Sequence, residues 1–310
     1  MKIHFDNVNF SARTGPNTFA RRLAEQLHAL GHTIAGPQDE YDIMLAFIEP
    51  TKRPRVGAKL VHRLDGIWFK PSEFIINNRG IKACYENADL VIWQSEFDKG
   101  MTTHHWGEPT KGFVIRNGIN TVPLTEVRDP DIARLRNTYS EIFICSSNWH
   151  PQKRLRSNIE LFDHCRKNFY PNSALIVMGS NPDVYVPDPN IFYTGNIPQE
   201  KYLELFAVSN WMLHLAWLDH CPNVVIESLS QGTQVICSEA GGTKELVGGY
   251  GMILRESQPY NFELADYDNP PPIDVTQVTE PLPRKPLGMH AEINIENIAK
   301  TYVSQFEELL

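Results

Sequence analysis

The chain has 310 residues, 42% of them hydrophobic and 21% charged, which suits two globular domains with cores of their own. Its formal net charge of −8 argues against nucleic acid as the main partner, since a polyanion asks for a basic surface. No stretch reaches the roughly 20 apolar residues of a membrane span, the opening MKIHFDNVNF reads as a strand start rather than a secretory leader, and five scattered cysteines without a CxxC pair fit a reducing, cytoplasmic setting.

In chain order, KIHF (2–5) predicts a strand, followed by a polar loop containing Gly15. A helix is expected from about Thr18 to Leu30, with Asn17 as its cap, because Phe19, Leu23, Leu27 and Leu30 recur at helical spacing. IMLAFI (43–48) is an unbroken apolar run, as in a parallel strand covered on both faces. KLVHRLDG (59–66) predicts a strand that exits into a loop, and 72–87 predicts one helix. DLVIW, a serine-capped helix at 95–106, and FVI (113–115) complete a β-α alternation that reads as a doubly wound α/β domain. Apolar periodicity weakens from about Asn120 to Ser140, where the domain junction is placed.

A second βα series follows. IFICSS, ALIVMG, IFYTG and WMLHLA predict strands, with helices at 155–169 and 198–208. DHCPNVVIESLSQGTQVICSEAGGTKELVG (219–248) then gives a loop, a helix, a buried strand, a glycine turn and a helix start. Residues 255–288, with PPP at 270–272, predict a long irregular surface segment. A last helix is expected at about 291–310.

Several loops at strand ends carry chemistry. Lys153 and Arg154 precede a helix, where a cation and unpaired N–H groups suit a phosphate, although taken alone a solvated basic pair is the better reading. Asp219 and Glu227 sit eight apart around a strand-to-helix corner, where a carboxylate can accept hydrogen bonds from sugar hydroxyls. Gly241 and Gly242 permit close backbone approach, or simply a tight turn. His62 and Asp65 lie where a strand exits, and a histidine there either shuttles a proton or binds backbone. His150 also falls in such a loop. Trp68, Phe69, Trp149 and Trp217 lie near these loops, as candidates to stack on a sugar ring or as half-buried aromatics. Asp129 and Asp131 form a D-x-D, better explained as a helix cap than as a metal motif. No His/Cys/Asp cluster has metal-ligand spacing, and no G-x-G-x-x-G supports a nicotinamide or flavin site.

Together these stretches resemble retaining glycosyltransferases of the GT-B fold, similar to glycosyltransferase family 4. The resemblance rests on the Asp219–Glu227 pair, Pro222 and Asn223 between them, GTQV (232–235), GGTKE (241–245), VIRNGIN (114–120), SSNWHPQKRL and LHALGHTI (27–34). It implies two Rossmann-like doubly wound domains facing across a cleft: an acceptor domain at 1–125, onto which the helix at 291–310 returns, and a donor domain at 126–290. It implies that Glu227 binds the ribose of a nucleoside diphosphate and that Asp219 sits near the donor sugar. Lys153 would hold the diphosphate, and His62 would lie near the transferred sugar. Arg154, Asn148, Asn223, Val224, Gly241 and Gly242 complete the implied donor set, and Gly15, Asp65 and His150 line the acceptor side. Two departures stand out: Asp219 replaces the commoner glutamate, and Asn148 stands where an arginine is usual.

The implied reaction moves a sugar from a UDP- or GDP-type donor to a glycan, lipid-linked or other hydroxyl acceptor with retention. It needs no metal and no cofactor beyond the nucleotide sugar. A nucleotide-sugar epimerase and a non-catalytic sugar-nucleotide or glycan-binding module are the alternatives. Cytoplasmic localisation with at most peripheral contact to the inner face of a membrane is expected.

Overall fold

The computed structural model of the chain describes residues 1–12, 14–120, 125–249, 251–282 and 291–310. They fall into two compact units: the first takes residues up to 120, the segment 261–265 and the C-terminal 291–310, and the second takes 125–260 and 266–282. Residues 121–124 of the expected junction and 283–288 of the proline-rich segment lie outside the described residues.

In the first unit the elements are β1 (Lys2–Asp6), α1 (Gly15–Ala29), β2 (Thr33–Ala35), β3 (Ile43–Phe47), β4 (Lys59–Leu64), α2 (Phe74–Asn77), α3 (Arg79–Asn87), β5 (Leu90–Trp93), α4 (Glu96–Trp106) and β6 (Gly112–Val114). The strands form one parallel sheet in the order β2-β1-β3-β4-β5-β6. All five residues of β3 are fully buried, which is why its sequence shows no alternation. The last helix belongs to this unit and packs on α1, with Tyr302, Phe306 and Ile298 joining Phe19 and Leu23 in one core. Its entry is pinned by reciprocal bonds: Ile119 N–H donates to Ile293 O at 2.8 Å, and Ile295 N–H donates to Ile119 O at 3.0 Å. Gly118 sits under this crossing, where a Cβ would stand 2.5 Å from Ile298 Cδ1.

The second unit contains α5 (Pro130–Thr138), β7 (Glu141–Ser146), α6 (Leu155–Asn168), β8 (Ser173–Met178), β9 (Ile191–Gly195), α7 (Gln199–Val208), β10 (Trp211–His214), α8 (Asn223–Ser230), β11 (Gln234–Ser238), α9 (Thr243–Val247) and β12 (Gly251–Leu254); α10 (Ile295–Glu307) closes the chain. Its sheet is parallel, in the order β12-β11-β10-β7-β8-β9. Both units therefore have the Rossmann-like doubly wound pattern.

Local physics explains where elements differ from expectation. α1 starts at Gly15, not Thr18, because Pro16 suits the first turn and Asn17 is occupied elsewhere, its Oδ1 accepting from Asn9 N–H at 2.8 Å. The helix expected over 72–87 is two helices. Buried Asn78 breaks it by spending its side chain on Trp68 N–H (2.9 Å), Trp68 O (2.6 Å) and Phe74 O (2.8 Å). The short edge strand β2 was missed. Ser95 and Asp129 cap α4 and α5, their side chains accepting from backbone N–H groups. The proline-rich segment does more than lie on the surface: Ile273, Val278 and Leu282 are buried in the core of the second unit. Phe262 enters the first, where Gly100 leaves room for its ring and His105 donates to its carbonyl at 2.9 Å.

Candidate functional site

In a doubly wound sheet, ligands bind outside the carboxyl ends of the strands where the order reverses. In the second unit the chain winds outward through β7, β8 and β9, then returns to the other side of β7 with β10. The loops after β7 and β10 therefore diverge from adjacent strands, and they carry Lys153 and Asp219.

Those two loops are stitched together by one backbone bond and one side-chain bond. Trp217 N–H donates to Gln152 O, and Gln152 Nε2 donates to Trp217 O, each at 2.9 Å. Next to this stitch, Lys153 Nζ lies 2.6 Å from Asp219 Oδ2, and His214 Nε2, from the last residue of β10, lies 3.1 Å from the same oxygen. Burial opposes ionisation of Asp219, but the Lys153 ammonium and the His214 ring outweigh it and hold its carboxyl well below the usual carboxylate range. Lys153 and Asp219 keep 20% and 16% of their side-chain surface, so the pair is reachable by a ligand.

Backbone on both sides of the pair is unusual. Leu218 and Arg154, neither of them glycine, have φ of +57° and +51°. Such conformations cost on the order of 1–3 kcal/mol and gather at functional sites. Gly241 has φ +109° and bridges to Asp219, and Gly242 N–H donates to Asp219 O at 2.7 Å. A Cβ at Gly241 would stand 2.6 Å from Asp219 O. Gly241 thus lets β11's exit press against the Asp219 loop, and the Gly242 N–H bond fixes its position.

Glu227 projects from α8 and accepts a short hydrogen bond from Tyr202 Oη of α7. Asn223 and Val224, both half-buried, open the same helix. Asn148 is exposed, and its Oδ1 gathers Ser180 Oγ (2.8 Å) and Asn181 Nδ2 (3.1 Å) from the loop after β8. His150 is half-buried, and burial together with nearby Lys153 lowers its pKa.

Arg154 departs from expectation. It is 4% exposed and turned inward: Nη1 lies 2.7 Å from Glu256 Oε1, Nη2 lies 3.0 Å from Glu256 Oε2, and Nη2 also donates to Pro271 O at 2.7 Å. Its charge is spent on tying the proline-rich segment to α6's start, so of the two adjacent cations only Lys153 keeps an open face.

The first-unit candidates sit differently. His62 is fully buried, its Nε2–H donating to Ile48 O at 2.7 Å, and burial lowers its pKa to about 4. It is a neutral backbone anchor sealed from solvent, without the access a proton shuttle needs. Asp65 pairs with the fully buried Arg63, which also reaches Asn117 and Gln94 and lies 4.6 Å over the Phe19 ring. Gly15 is exposed at the start of α1. Trp149 and Trp217 are 5% and 8% exposed and Phe69 is buried, so only Trp68 keeps a face open. Sequence reasoning missed His214, Tyr202, Arg63 and Glu256. A polar residue ending an apolar strand five positions before Asp219 was the available signal for His214; the others act through long-range pairing. No group of metal-ligating side chains gathers among the described residues.

Residues 129–254 match the family described as Glycosyl transferases group 1, a span that contains the Lys153, Asp219 and Glu227 loops. No curated protein matches the chain. Among solved structures, Anabaena Alr3699/HepE in complex with UDP-glucose is 18% identical with a TM-score of 0.62, covering 100% of this chain and 97% of its own. Sucrose-phosphate synthase from Thermosynechococcus elongatus is 16% identical with a TM-score of 0.67, covering 99% and 98%. A glycosyltransferase from Rickettsia africae is 13% identical with a TM-score of 0.63, covering 99% and 98%.

Proposed function

From a chain of GT-B fold whose residues 129–254 match Glycosyl transferases group 1, we propose a glycosyltransferase that moves a sugar from a nucleoside-diphosphate donor to a hydroxyl acceptor with retention of configuration. A UDP donor is the first choice, because the Anabaena structure holds UDP-glucose; a GDP donor is the second. The acceptor is a glycan, free or lipid-linked. The observation that carries this reading is the half-open Lys153–Asp219–His214 cluster at the switch point of the second unit, with Glu227 on the helix that follows.

An ammonium has three donors, so Lys153 can keep Asp219 with one and meet a donor phosphate with another. As the bond from the sugar's anomeric carbon to the diphosphate oxygen breaks, negative charge grows on that oxygen, and Lys153 stabilises it. The acceptor oxygen then bonds the same carbon on the same face, and its proton passes to the departing diphosphate. Asp219, held ionised, lies where positive charge develops on the sugar. Glu227 receives the ribose hydroxyls, with Tyr202 orienting its carboxylate. No resident cofactor or metal takes part in this scheme, so a chelator should leave the rate unchanged.

Cytoplasmic localisation with at most peripheral membrane contact is part of the proposal; no helix among the described residues is long and apolar enough to cross a membrane. The test is a thermal-shift panel of nucleoside diphosphates. A ligand at 100 times its dissociation constant adds about 2.7 kcal/mol of stability. If neither UDP nor GDP, nor their sugars, shifts the transition, the reading fails. Product anomeric configuration, read by NMR, decides retention.

A further inference from the structure

Asn78 splits the helical stretch after β4 and frees a single turn from the core. α2 has four residues, Phe74–Asn77, and none of them is buried. Ile75 and Ile76 are 83% and 76% exposed. One turn of helix is not stable by itself, so something else holds it. Asn78, 3% exposed, does so: its side chain bonds the backbone of Phe74 and both backbone groups of Trp68. Those bonds also draw Trp68, 44% exposed, alongside the turn. Single exposed apolar residues are ordinary on a protein surface, but three large ones held together mark an interaction site.

Beside this ridge lies a pocket of about 340 Å³, lined among others by Phe74, Ile75, Arg79, Lys82, His105 and Trp106. The Phe74 and His105 rings stand 4.8 Å apart, and Trp106 packs edge-on against Tyr85 at 5.4 Å, so the wall is largely aromatic. Arg79 and Lys82, both exposed, bring two cations to it. Lys82 lies 3.6 Å from Glu86, and Glu49 packs against α3 at Gly80, so the charges nearly balance. An apolar slot with a guanidinium at its edge matches a molecule that joins a hydrocarbon chain to a phosphate.

We infer that α2 docks on a phospholipid bilayer: Ile75 and Ile76 enter the acyl region, Trp68 lies at the headgroup level, and Arg79 meets a lipid phosphate. A protein partner fits less well. A stable protein interface buries about 800 Å² on each side, more than three side chains and a small pocket supply, whereas a bilayer takes up apolar side chains one by one. Tryptophan and arginine around an apolar tip are the residues that suit a membrane–water boundary. The near-balance of charge makes insertion, not attraction to an anionic surface, the driving force, as suits a chain of net charge −8. The docking gives the peripheral contact proposed above its surface, and it does not depend on the transferase reading.

The test mixes full-length protein with extruded vesicles of phosphatidylcholine, with and without phosphatidylglycerol, and reads co-sedimentation. Vesicles with brominated acyl chains read tryptophan quenching. Expected is binding to both kinds of vesicle, and quenching that falls in Trp68→Phe. Ile75→Ser/Ile76→Ser should weaken binding at least about tenfold, since each isoleucine leaving water contributes that much. Both changes lie in solvent, so the thermal transition should stay within the scatter of surface variants. The inference is overturned by a wild-type chain that stays in solution, by binding that needs phosphatidylglycerol, or by binding that survives the serine pair. Quenching unaltered in Trp68→Phe overturns it too. So does a dimer in size-exclusion chromatography that the serine pair dissolves, because a second copy would then cover the ridge.

Discussion

The strand exits of the two units use the same residue types to opposite ends. At the end of β4 in the first unit, His62 and Arg63 are sealed, both fully out of solvent, and Asp65 just beyond them pairs with Arg63. After β7 and β10 in the second, Lys153 and Asp219 form an equally tight pair but keep a fifth to a sixth of their surface. A sealed charge cluster stabilises a loop and meets no ligand. A half-open one holds its geometry and still offers a face. The contrast repeats at adjacent positions, where Arg154 is closed against Glu256 while Lys153 stays open.

The sharpest break comes from the sealed member of that last pair. Arg154→Ala leaves Glu256 buried and uncompensated, and removing one partner of a buried ion pair typically costs about 3–5 kcal/mol. Urea unfolding should show this loss, with UDP affinity at subsaturating denaturant little changed. A stable variant that loses nucleotide binding would mean that Arg154, not Lys153, faces the donor.

His62 tests the sealing of the first unit through pH. Its folded pKa of about 4 lies below the ordinary 6.5. The unfolded chain therefore takes up the proton first as pH falls, so this group's contribution is complete above about pH 6.5 and is lost progressively toward pH 4. The loss amounts to about 3 kcal/mol. His62→Gln should flatten the stability profile in that window. An identical slope in wild type and variant would show the ring to be solvated.

On the open side, Lys153→Ala and Glu227→Ala each remove a hydrogen bond with a charged group, worth about 1.5–3 kcal/mol or roughly 10- to 150-fold. Both should weaken donor use, and Lys153→Ala should also weaken free nucleoside diphosphate. An effect confined to acceptor kinetics would break the assignment.

Much of the fold was legible because burial writes itself into composition: the unalternating IMLAF could only be a strand covered on both faces. That the loops carrying Lys153 and Asp219 share one site was legible, since both fall at strand ends of the same βα series; that the two side chains pair was not. Nor was the fate of Arg154. Nothing in the dipeptide says that residue 154 takes a left-handed turn and sends its side chain to a glutamate 102 positions on. His62 was ambiguous for the same reason: a histidine at a strand exit looks alike whether its acceptor is a substrate or the carbonyl of Ile48. The glycine pair was visible, but the cause of its first member, a backbone passing 2.6 Å from the missing Cβ of Gly241, belongs to the folded chain.

Tyr202→Phe gives the smallest effect and the finest probe of how open the second site is. The ring packs edge-on against Phe206 at 4.6 Å, so phenylalanine keeps the packing and loses only the hydroxyl that donates to Glu227. If that hydroxyl orients Glu227 for a donor ribose, its loss removes one such bond, about 0.5–1.5 kcal/mol, or roughly 2- to 10-fold. The change should fall on donor KM, with kcat held, because a ribose contact is made equally in the ground and transition states. Tighter donor binding would instead mean that Tyr202 competes with the nucleotide for the carboxylate, making the exit of β10 a closed site, like those of the first unit, that a donor must first open.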